Sequence, residues 1–166
     1  MKIKIFMNMM VAAVAIVLGT SSCSSDDDEP AVAVASQVAG SYTGDESITI
    51  MGEPEDDTAT FVFAKASDNS IDMTIPQSGS EGPMVIPPLT VKNIPLTKVN
   101  ESIVGKLSSF TGTVTNASGA EKAFTVSNLT VIFEDVPKGK AVVVSYTLKY
   151  GSMPFDMVTV FNGNKN

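Results

Sequence analysis

From Val142 to Tyr150 the apolar residues fall on every second position. Val142, Val144, Tyr146, Leu148 and Tyr150 lie on one side, and Val143, Ser145, Thr147 and Lys149 on the other. A period of two is the repeat of an extended chain with one face against a core and the other in water. The same repeat returns in Phe61 and Phe63, in Ile71, Met73 and Ile75, and in Met153, Phe155, Met157, Thr159 and Phe161. Beyond Gly40 no stretch carries a helical stripe, so the reading is all-β.

Turn residues punctuate these runs at 52–57, 67–69, 116–119 and 137–139, and Gly151-Ser152 reads as a tight hairpin between the last two strands. Phe124 and Val126 keep one phase while Leu129, Val131 and Phe133 keep the other, which places a β-bulge near Ser127 and Asn128. Pro83, Pro87, Pro88 and Pro95 make 79–95 an irregular or edge segment, with 89–94 extended. The sum is an antiparallel meander of about eight strands. Closing it into a barrel removes exposed edges, and a β-sandwich is the alternative.

The start of the chain follows a different grammar. Lys2 and Lys4 precede an apolar run over 5–18 broken only by Asn8, and Gly19, Thr20, Ser21 and Ser22 lead to Cys23. Positive start, apolar middle and small residues make 1–22 a signal peptide. The run is too short for a membrane span, which takes about 20 apolar residues. Small residues before a lone cysteine resemble the lipobox of bacterial lipoproteins, with Thr20 where leucine is usual; the resemblance implies cleavage before Cys23 and a lipid on its thiol. The next residues, Ser24, Ser25, Asp26, Asp27, Asp28 and Glu29, are too polar and like-charged to pack. They read as a flexible tether over 23–35, with the barrel domain over 36–166. A serine followed by an acidic run also resembles the signal that exports lipoproteins of Bacteroidota to the cell surface. The expected location is therefore the outer membrane, facing outward, with the periplasmic face as the alternative.

Composition narrows the chemistry. The 11 basic residues are all lysine against 18 acids, and from Ser36 onward nine lysines face 14 acids, a net charge of −5. Such a surface does not suit nucleic acid, which calls for a basic face. The single cysteine lies at the leader junction, so the domain holds itself by its core without a disulfide. Histidine is absent, which removes the usual general base, the usual triads and the common zinc and iron ligands. The acids Glu53, Glu55, Asp56 and Asp57 fall in one expected hairpin loop but lack the ordered spacing of a calcium loop. No enzyme, metal or cofactor is assigned. In the same loop Asp57-Thr58-Ala59 resembles the short O-glycosylation motif of Bacteroidota, which makes Thr58 a candidate acceptor.

Val38-Ala39-Gly40-Ser41-Tyr42-Thr43-Gly44 resembles the first strand of the calycin-like, or lipocalin-like, domain of Bacteroidota lipoproteins. Val91-Lys92-Asn93-Ile94-Pro95-Leu96 is similar to its middle segment, and 141–162 to its closing hairpin. Tyr42 stands where lipocalins often carry tryptophan. The resemblance implies a calycin-like barrel. Phe61, Phe63, Met73, Tyr146, Tyr150, Phe155 and Met157 either fill that barrel or line a cavity for a small apolar ligand. The functional expectation is a lipid-anchored interaction or accessory module meeting a surface protein or glycan, with an apolar-ligand carrier as the alternative.

Overall fold

The structure, a computed structural model, describes residues 33–79 and 85–166. The expected signal peptide, Cys23 and the run from Ser24 to Glu29 lie outside the described residues. Eight strands follow one short helix: α1 (Val34–Val38), β1 (Gly40–Ile50), β2 (Glu53–Ser67), β3 (Ser70–Ile75), β4 (Leu89–Val99), β5 (Ser102–Thr115), β6 (Glu121–Val136), β7 (Gly139–Tyr150) and β8 (Met157–Lys165). Each pairs antiparallel with the next, and β8 returns to β1 from Tyr42↔Lys165 to Ile50↔Met157, so the sheet closes as a barrel and the sandwich is excluded. Closure depends on a glycine pair. Gly44 faces Gly163 across the seam, and a Cβ on Gly44 would run into the Asn162 carbonyl.

The alternation of β7 holds throughout: Val142, Val144, Tyr146, Leu148 and Tyr150 are buried, while Val143 and Lys149 are exposed. The bulge is where the phase change puts it. Ser127 pairs with Thr147 and Thr130 with Ser145, so two residues oppose Tyr146, and Asn128 takes a left-handed φ of 54°.

Four expectations need correction. The first turn is only Met51-Gly52, whose φ values of 53° and 92° suit the tight turn of a right-twisted hairpin. Glu53, Glu55, Asp56, Asp57 and Thr58 therefore lie on β2, not in a loop; an exposed edge strand can be as polar as a loop. Pro95 lies within β4 instead of ending an irregular stretch, because it sits where that strand's pairing passes from β3 (Ser70↔Pro95) to β5 (Leu96↔Gly105). Just before it, Asn93 (φ 56°) forms a second bulge and donates its N–H to Asp72 Oδ1 at 2.8 Å. Gly151-Ser152 opens a longer connection running to β8, so Met153 and Phe155 pack half-buried from a loop. Finally, Val34 and Ala35, expected in the tether, belong to α1. Ala35 and Val38 are fully buried, the Ala35 N–H donates to the Asp68 carbonyl, and the Tyr42 hydroxyl donates to the Val38 carbonyl at 3.0 Å. The helix thus fixes one end of the barrel.

Leu148 is buried and its neighbour Thr147 is half-buried on the outer face. Leu148→Ala should cost about 2–5 kcal/mol, as a buried leucine does, and Thr147→Ala no more than about 0.5 kcal/mol. Chemical denaturation of the two variants checks this; equal losses would contradict the assigned faces.

Candidate functional site

The inward positions of β1, β2, β6, β7 and β8 place aromatic rings in layers. Next to α1, Tyr42 meets Phe63 edge to face at 5.4 Å and lies 5.6 Å from Phe133, while Phe63 and Phe133 meet at 5.0 Å and 80°. Further along, Phe61 stacks on Phe161 at 4.4 Å and touches Tyr146 at 6.4 Å. Such pairings add to the apolar burial and lock ring positions. Of the residues the sequence singles out, Phe61, Phe63, Met73, Tyr146, Tyr150 and Met157 are buried on the inward face. Phe155 is brought near them only from the 151–156 connection, where it packs half-buried against the core.

Little space remains between these side chains. A small, partly open cavity at this level measures about 10 Å³ and is bounded by Glu46, Ile48, Ile75, Ile86, Tyr146 and Thr159, among others. That is room for about one water molecule, not for an organic guest.

One wall of this cavity is a carboxyl that the sequence reasoning missed. Glu46 is only 8% exposed, and β1 carries it inward in phase with Tyr42, Gly44, Ile48 and Ile50. The signal was present: counting in twos from Tyr42 reaches Glu46, although its charge reads as solvent-facing. Burial, with Asp57 directly across the β1–β2 ladder, raises its pKa from 4.5 to about 7. Nearby, Tyr146 pairs across β7–β8 with the buried Thr159. Burial raises the Tyr146 hydroxyl first and the Glu46 charge raises it further, while a hydrogen bond with Thr159 opposes both. When protonated, a carboxyl that shares this cavity with two hydroxyls can both donate and accept hydrogen bonds, within a lining that is otherwise largely apolar.

The barrel end that holds this group is more open than the end under α1. Ile48, Ile50, Phe110, Val114, Met153 and Phe155 pack on the core there and stay partly exposed. Tyr150, last in β7, is 6% exposed, and its hydroxyl has no partner among the described residues. Glu53, Glu55, Asp56 and Asp57 are solvent-exposed along β2. Thr58 is exposed on the outer face, its N–H donating to Asp57 Oδ1 at 2.7 Å. The acidic residues do not converge with others into a metal-binding group among the described residues.

Comparison with known proteins agrees with this architecture. The sequence profile of a family described as calycin-like beta-barrel domain matches residues 38–164. No curated protein matches the chain in sequence. Among solved structures, that of a candidate outer membrane protein from Bacteroides fragilis superposes with a TM-score of 0.55 and 15% identity, over 81% of this chain and 53% of that one. The chain thus spans about half the length of that protein, and the likeness is one of fold.

The buried carboxyl makes stability depend on pH. Folded Glu46 keeps its proton to about pH 7, whereas the unfolded chain releases it near 4.5. The unfolded state therefore binds fewer protons in that window, and this group's contribution to stability falls as pH rises from 4.5 to 7. Glu46→Gln, which cannot ionise, should melt about 2–6 °C above the parent at pH 8 and close to it at pH 4. Thermal melts at the two pH values measure the difference; an equal offset at both would mean that ionisation is not its source.

Proposed function

The chain belongs to the calycin-like β-barrel domain family, and from that premise we propose that it is an exported, lipid-anchored module at the cell surface that works by contact with partners. The observation that carries the reading is the filled interior: Tyr42, Phe61, Phe63, Phe133 and Phe161 are buried against one another and the small cavity beside Glu46 holds about 10 Å³, which favours the rim and outer face over a ligand chamber. Binding in place of catalysis fits a chain without histidine whose single cysteine is Cys23.

Anchoring is supported by the leader. Lys2, Lys4, the apolar run over 5–18 and the small residues before Cys23 make the order an exported lipoprotein requires. Ser24, Ser25 and the acids from Asp26 to Glu29 then hold the domain off the membrane and carry the export signal. The relative of like fold, described as a candidate outer membrane protein, is in keeping with an envelope location. The exposed Thr58 remains a candidate for glycan attachment, on a strand that faces solvent.

Cys23→Ser should move the protein from the membrane pellet to the soluble fraction after a high-salt wash, because stable anchoring takes more than one acyl chain. Protease added to intact cells should digest the wild type; its survival would place the module on the periplasmic face. Fatty acids and apolar dyes should neither saturate the purified domain nor raise its melting temperature. Saturable stabilisation that grows with their concentration would favour a carrier instead.

A further inference from the structure

At the open end of the barrel, β2 presents an edge without a ladder partner. It pairs with β3 only from Val62 onward, because β3 stops at Ile75 and Pro76 has no N–H to continue the ladder. Over 53–60 the β3 side of β2 is therefore unpaired among the described residues, and alternate N–H and C=O groups point outward there. Glu53, Glu55 and Asp57 share the inward phase of this stretch with the buried Glu46 opposite. The same end carries the half-exposed apolar residues Phe110 and Phe155, and Tyr150, whose buried hydroxyl has no partner among the described residues.

We propose that this rim docks an extended, lysine-bearing segment of a partner protein, which adds as a strand to the open edge of β2 and sets an apolar anchor on the exposed core residues of that end. The proposal rests on the interaction-module reading and names its partner by chemistry. Main-chain groups on the edge supply hydrogen bonds, the acid row selects positive charge, and the apolar residues supply area. A second copy of this chain does not fit, since pairing β2 with β2 would set two acid rows against each other. Nucleic acid is repelled by the same row. A small apolar guest would find the interior already occupied.

The test uses a synthetic peptide of alternating lysine and valine with one phenylalanine, titrated into the isotope-labelled protein. Amide shifts should saturate and cluster over 53–61 and around Phe110 and Phe155. Glu55→Lys changes an exposed side chain and should weaken binding about tenfold or more. Methylating alternate peptide nitrogens, which keeps the charge but removes ladder donors, should weaken it comparably. The proposal fails if no shifts appear, if Glu55→Lys binds as well as the parent, or if the methylated peptide does, which would leave charge contact alone. The two readings fail separately. Saturable binding of a fatty acid in place of the peptide would overturn both; if neither binds, only the docking site falls, and protease accessibility and fractionation still decide the module.

Discussion

The pairing of the first strand with the last is the constraint on which the rest of the domain depends. Nine register pairs join β1 to β8, and they require two backbones to approach where Gly44 meets Gly163. Once that seam is closed, the inward side chains between the two rims point into one narrow volume. An eight-stranded barrel is just wide enough for its own residues. Tyr42, Phe61, Phe63, Phe133 and Phe161, all at most 1% exposed, take up most of it. Closure thus decides the character of the interior.

Glu46 follows from the same constraint. Its position on β1 is in phase with Tyr42, so the closed sheet carries it inward whatever its polarity. A carboxylate there would face Asp57 and lose most of its water, and the lower-energy solution is to keep its proton. The group is tolerated because it lies toward the open end, beside the hydroxyls of Tyr146 and Thr159, not among the packed rings near α1.

Much of the fold was legible from side-chain polarity alone. The inward set of β7 and the bulge at Asn128 follow from counting in twos, because a half-buried strand must alternate and a change of phase must be absorbed somewhere. What polarity cannot report is whether a backbone is paired. Glu53 to Asp57 look like a loop since an exposed edge strand has no apolar side to show. Pro95 looks like a break since the sequence does not reveal that β4 changes neighbours there. Met153 and Phe155 continue the rhythm of β8 by chance and reach the core from a loop. The same limit hid the candidate site: Phe61, Phe63 and Tyr146 were recognisable as interior residues, but the buried Glu46 and the open edge of β2 depend on register between distant strands.

The glycine seam also fixes the order of events in assembly. Gly44 and Gly163 stand at opposite ends of the domain, so the contact that closes the barrel is among the most distant in sequence and incurs the largest loop-closure entropy. Until β8 is present, β1 has one free edge and the ring layers lack Phe161. A chain emerging from a ribosome consequently stays unclosed until its last strand arrives.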